Sequence, residues 1–181
     1  SSDLNYEDLR VSFRDDPHGV SMQYSGTNYI VTDGWGEENS IANNIQWIEG
    51  SDFADNLYAE EGPIYFIGTL GNDSISASGN DHAVTYYRGN LYYYETLTVD
   101  VNLDAGTAVA KESDGNLLFT DQLYNINNVV GTYNSDVISG SNVSSDLGLW
   151  GLDGNDTLTG GEGNDYLDAI LNCKNSMNQM K

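Results

Sequence analysis

Apolar residues alternate with polar ones at a period of two in six stretches: LRVSF (9–13), GVSMQY (19–24), NYIVT (28–32), AVTYY (83–87), LYYYETLTVDVNL (91–103) and TAVAK (107–111). Period two is strand spacing, because successive side chains of an extended chain point to opposite faces. Clusters of Gly, Asn and Asp separate these stretches (RDDPHG, YSGTN, LDAG, KESDGN) and supply turn chemistry. No stretch sustains a helical period; DLGLW (146–150) and the tail after Asp168 are the weakest departures from strand text, and neither is assigned as helix. The pattern predicts an all-β chain.

A second pattern has a longer period. Residues 151–168 read as two nine-residue units, GLDGNDTLT and GGEGNDYLD, and GTLGNDSIS at 68–76 is a third. GSDFADNLY (50–58) and GTYNSDVIS (131–139) keep the first Gly, the Asp and an aliphatic residue, but lose the fourth Gly; SGNDHA (78–83) keeps only a core of the motif. The pieces recur in the same order along the chain: IQWIEGSDFADNLY matches INNVVGTYNSDVIS, GTLGNDSIS matches GLDGNDTLT, and SGNDHA matches EGNDYL. This predicts a duplication, with residues 1–83 holding a first spacer and degenerate units, 84–168 a second spacer and the clear units, and 169–181 a tail or cap.

Glycine at the first, second and fourth positions permits backbone angles closed to other residues, and Asn at the fifth tolerates left-handed geometry. A tight turn can therefore form, with the sixth-position Asp at its end and the turn carbonyls beside it. The last three residues make a short strand whose middle residue, Leu158 or Leu167, points inward. One unit cannot bury a single aliphatic side chain; stacked units can. Successive turns then fall on opposite sides of the coil, and turns two units apart stack.

Such turns offer carboxylate and carbonyl oxygens, the hard ligands that calcium takes. The candidate ligands are Gly151, Asp153, Asn155 and Asp156 in one clear unit and Gly160, Glu162, Asn164 and Asp165 in the next. Gly131, Asp136 and Asp146 lie just upstream, and Gly68, Leu70, Asn72, Asp73, Gly50, Asp55 and Asp81 hold the corresponding places in the first half. A rung without the fourth Gly can persist as structure and bind nothing. The competing reading is a glycine-rich solenoid whose Asp side chains hydrogen-bond their own turns.

The units resemble the RTX, or haemolysin-type, calcium-binding repeat, G-G-x-G-x-D-x-U-x with U aliphatic. GGEGNDYLD meets every constrained position and GLDGNDTLT all but the second Gly. The resemblance implies a parallel β-roll or β-solenoid in two tandem copies with antiparallel hairpin spacers, several bound Ca²⁺ ions, and folding on calcium binding outside the cell. It also implies a structural part of a larger secreted or surface protein rather than an enzyme. The export signal typical of that family is not recognisable in the tail.

Charge sharpens the expectation. The 181 residues carry six basic and 28 acidic side chains, a formal net charge of -22. Phosphate neutralisation needs clustered Lys and Arg, which argues against a nucleic-acid partner. Self-repulsion opposes compaction, so something must offset it. Thirteen Tyr and three Trp argue against disorder, which leaves bound cations. The single Cys173 excludes an intrachain disulfide framework. No apolar run is long enough to span a bilayer, and SSDLNYEDL reads as no signal peptide.

The remaining residues have plainer expectations. Tyr92, Tyr93 and Tyr94 suit cross-strand packing, with a polysaccharide-binding face as the alternative. Trp35, Trp47 and Trp150 are expected in the core or over the solenoid flanks. His18 and His82 lack the neighbours of a zinc site. Asp16-Pro17 reads as a turn.

Overall fold

The computed structural model describes residues 9–60, 62–79, 81–87 and 96–169. The strands run β1 (Arg10–Ser12), β2 (Ser21–Tyr24), β3 (Asn28–Thr32), β4 (Glu38–Ala42), β5 (Trp47–Glu49), β6 (Asn56–Ala59), β7 (Tyr65–Ile67), β8 (Ser74–Ala77) and β9 (Ala83–Thr85). They continue as β10 (Thr98–Asn102), β11 (Thr107–Lys111), β12 (Leu117–Tyr124), β13 (Asn128–Val130), β14 (Val137–Ser139), β15 (Gly148–Trp150), β16 (Thr157–Thr159) and β17 (Tyr166–Asp168). No helix occurs among the described residues. The stretch 146–150 contains β15, and the tail beyond Ala169 lies outside the described residues, as do Tyr92, Tyr93 and Tyr94.

The strands form two sheets, and the chain passes back and forth between them. A seven-stranded sheet has the order β1-β5-β7-β9-β13-β15-β17, and every neighbouring pair is parallel. The ten-stranded sheet has the order β16-β14-β10-β11-β12-β8-β6-β2-β3-β4. Its rungs are parallel, while β2-β3-β4 and β10-β11-β12 are antiparallel meanders. Consecutive single-strand rungs alternate between sheets, so turns two rungs apart stack on one side.

The core is the row of middle residues. Ile48, Phe66, Val84, Val129 and Leu149 pair in register across the parallel sheet and are almost fully buried. Met22, Leu57, Ile75 and Leu123 form the facing row, continued beyond the second meander by Val101 and Ile138. A three-residue strand has one inward side chain, so each rung is buried only by rungs above and below it. At the end of the stack this fails: Leu158 is only partly buried and Leu167 is 45% exposed.

One aromatic expectation is overturned. Trp35 is 73% exposed, in the turn between β3 and β4. Trp47 stacks on Tyr65 at 4.4 Å, and Trp150 lies 5.6 Å from Tyr166.

Candidate metal centre

The sixth-position Asp residues are placed by the rung-to-rung register, each immediately before its strand. Their carboxylates do two jobs. One oxygen caps the neighbouring rung: Val20 N–H donates to Asp55 Oδ1 at 2.7 Å, Asp55 N–H to Asp73 Oδ1 at 3.0 Å, and Asp73 N–H to Asp121 Oδ1 at 3.0 Å. Beyond the second meander the column resumes, with Val99 N–H on Asp136 Oδ1 at 2.8 Å and Asp136 N–H on Asp156 Oδ1 at 2.9 Å. Each bond satisfies an amide at the point where the parallel ladder ends and the turn begins.

The other oxygen closes the Asp's own turn, and here the rungs differ. Ser51 N–H donates to Asp55 Oδ2 at 2.8 Å and the Ser51 hydroxyl to Oδ1 at 2.7 Å. The Thr69 hydroxyl donates to Asp73 Oδ2 at 3.1 Å. Thr132 gives both its N–H and its hydroxyl to Asp136. Each of these donors stands four residues before its Asp, at the second position of the unit, and all six residues are buried. At the corresponding place before Asp156 stands Leu152, a non-glycine residue at φ 70°. The Asp156 Oδ2 atom is buried and has no hydrogen-bond partner among the described residues. At Asp165, Gly161 N–H reaches Oδ2 at 2.7 Å and Leu147 N–H reaches Oδ1 at 3.0 Å, with no hydroxyl.

At four of the five units the first-position glycine is required by this carboxylate rather than by an unusual backbone angle. A Cβ on Gly50, Gly131, Gly151 or Gly160 would stand 2.0–2.3 Å from Oδ2 of its own rung's Asp. The fourth-position Gly154 does need a left-handed angle, φ 136°, and a Cβ there would meet Asn134 O at 2.5 Å.

On the opposite side of the coil the same column is filled by other residues. Gly148 pairs with Tyr166, so Leu147 stands opposite Asp165 and Asp146 opposite Asn164. Asp146 accepts Asn164 N–H at 2.7 Å. His82 occupies the capping place before β9: its Nδ1 lies 3.4 Å from Ile64 N–H and its Nε2 3.0 Å from Ser78 O. Burial lowers the His82 pKa, in keeping with a neutral ring that accepts at Nδ1. Asp81, just before it, is exposed. Asp81, Asn128, Asp146, Asn164, Trp150 and Tyr166 surround a cleft of about 570 Å³.

Burial dominates the electrostatics. It pushes Asp73 up to about 8, reinforced by the Asp121 charge, and it raises Asp121 to about 7 and Asp136 to about 6. The Asp55 and Asp156 carboxyls are raised by burial as well. Desolvation favours the neutral acid. Burial therefore shifts these carboxyls towards the neutral, protonated form.

The expected ligands thus separate into groups. Asp55, Asp73 and Asp136, with Gly50, Gly68 and Gly131 at the head of their turns, sit in closed, donor-filled turns. Leu70 packs against the core, and Asn72 Oδ1 accepts Thr120 N–H at 2.8 Å. Gly151, Asp153, Asn155 and Asp156 form the turn that holds the unsatisfied oxygen, and Asp153 lies close enough to raise the Asp156 carboxyl further. Gly160, Glu162, Asn164 and Asp165 form the last turn, with Glu162 and Asn164 exposed. Among the described residues no three His, Cys, Asp or Glu side chains converge as a metal cage, so an ion here would draw on main-chain carbonyls too. Sequence reasoning missed Asp121, which lies within β12 without a glycine turn and accepts the Tyr86 hydroxyl at 3.0 Å.

The geometry fits calcium at Asp156: a buried carboxylate oxygen without a donor is the atom a cation would satisfy. Residues 149–169 match the family model of the RTX calcium-binding nonapeptide repeat (four copies), which covers the turns at 151–156 and 160–165. No curated protein matches the chain.

Proposed function

We propose that the chain is a structural, non-enzymatic calcium-binding β-roll module in two tandem copies, each with an antiparallel spacer. The unpartnered Oδ2 of Asp156, inside the stretch that matches the calcium-binding repeat, carries this reading. Asp156 and Asp165, with carbonyls of the turns at 151–156 and 160–165, would hold the ions; calcium would supply the positive charge that these turns lack. The duplication is supported by strand order. β2-β3-β4 is followed by β6 pairing on β2, and β10-β11-β12 by β14 pairing on β10. In the extracellular range of affinities calcium would fill such sites outside the cell and leave them empty inside. That suits a secreted or surface protein of which this chain is one part. No helix among the described residues is long and apolar enough to cross a membrane.

Calorimetric titration tests this. Calcium is expected to bind the wild-type chain, and Asp156→Asn is expected to remove at least one ion. A flat titration of the wild type at millimolar calcium would end the reading.

The cleft favours a second activity, polysaccharide binding. Trp150 and Tyr166 offer ring faces beside Asp81, Asn128, Asp146 and Asn164, whose polar atoms suit hydroxyl groups. Retention on immobilised polysaccharide that Trp150→Ala abolishes would support it, and equal retention of both proteins would not.

A further inference from the structure

The three closed turns share one chemical feature that the open ones lack. Ser51, Thr69 and Thr132 each place a buried hydroxyl against the carboxylate four residues downstream. We propose that this hydroxyl takes the place of calcium, so that the side chain at the second position of each unit decides whether the rung binds an ion or closes on itself. The inference rests on the calcium reading of the Asp156 turn and divides the molecule in two: rungs around Asp55, Asp73 and Asp136 that close without metal, and the rung around Asp156, whose spare oxygen is completed by it.

The reason is the direction of the donors. A carboxylate binds a cation through lone pairs, and at Asp55 and Asp136 both oxygens already receive N–H or O–H hydrogens. An ion entering there would break several short hydrogen bonds and leave the amide and hydroxyl donors buried without acceptors, which is the expensive outcome. Asp73 is held in the same way by Asp55 N–H and the Thr69 hydroxyl. At Asp156 nothing is displaced: Leu152 has no donor in its side chain, and Oδ2 is unpartnered. The last turn has Gly161 in this place, whose Cβ would stand 2.2 Å from Val143 O, so a hydroxyl side chain has no room there.

Amide hydrogen exchange on the full chain, in EGTA and in excess calcium, tests the division without any substitution. The amides of Val20, Asp55, Asp73 and Val99 are expected to stay protected in EGTA, whereas those within 151–158 gain protection only with calcium. Loss of protection throughout the chain in EGTA would overturn the inference and leave calcium binding intact. Absence of any calcium effect within 151–168 would instead overturn the underlying calcium reading. Leu152→Ser supplies the converse: a hydroxyl four residues before Asp156 should abolish the calcium-induced protection of 151–158. An unchanged calcium response in that variant would sink the proposed role of the second position.

Discussion

The turns ending at Asp136 and Asp156 are stacked neighbours, joined by the Asp136 N–H bond to Asp156 Oδ1 at 2.9 Å. Both begin with a glycine that a carboxylate overlies, and both feed parallel strands of one sheet. They differ at the next residue. Thr132 fills its Asp with donors and both residues are buried; Leu152 leaves an oxygen bare, and Leu152 and Asp156 are half-buried. The motif's Asp is thus a strut in both turns, and of these two only Asp156 has an oxygen to spare for an ion. Degeneracy of a repeat unit is here a change of chemistry, from an ion to a hydroxyl, rather than a decay of the site.

The largest effect expected is that of Asp73→Ala. It strips the acceptor from Asp55 N–H and the Thr69 hydroxyl, two buried donors, and should cost about 2–4 kcal/mol. Denaturant melts should show the same loss with calcium and with EGTA. Asp156→Ala should instead cost little in EGTA, where only Asp136 N–H loses a partner. A loss at Asp73 that calcium modulates would blur the two regions into one.

Calcium itself comes next. At a hundredfold excess over the dissociation constant, one site should stabilise the folded chain by about 2.7 kcal/mol. The increment should shrink in Asp156→Asn and persist in Thr69→Val. Thermal melts of the three proteins with and without EGTA read it directly.

Acid separates the regions by sign. Asp73, Asp121 and Asp136 have folded-state pKa values raised from 3.8 to about 8, 7 and 6. Between those limits the folded state holds more protons than the unfolded one, so their contribution is full below pH 4 and is lost as pH rises towards 8. Calcium-free protein should therefore melt higher at pH 5 than at pH 8. The calcium increment should move the other way, because protons compete with the ion for Asp156, whose carboxyl is raised by burial. A calcium-free melting temperature that rises with pH over this window would count against donor-filled, buried carboxylates.

The smallest effect expected is that of Thr69→Val, which removes one hydroxyl donor of nearly unchanged shape. About 1 kcal/mol is expected, independent of calcium. A larger loss that appears only in EGTA would mean that calcium takes over at Asp73, and the division between the regions would fail there.

Much of this was legible in the chain. The period-two text at 10–12, 21–24, 28–32, 83–85, 98–102 and 107–111 is strand in the structure, and the nonapeptides are rungs, with Ile75 buried in the core, Leu158 partly buried and Leu167 left exposed at the end of the stack. Those features are local: an extended backbone alternates its faces whatever it packs against. The second-position Ser51, Thr69 and Thr132 were visible too, as a hydroxyl four residues before an Asp, but their meaning depends on where the carboxylate points. That Asp121 caps Asp73 across 48 residues, that His82 does a carboxylate's work, and that Trp35 stays in solvent follow only from which strands become neighbours. Composition counts the carboxylates; register decides which of them meet a donor and which are left for an ion, because a hydrogen bond is made between rungs that the chain brings together from far apart.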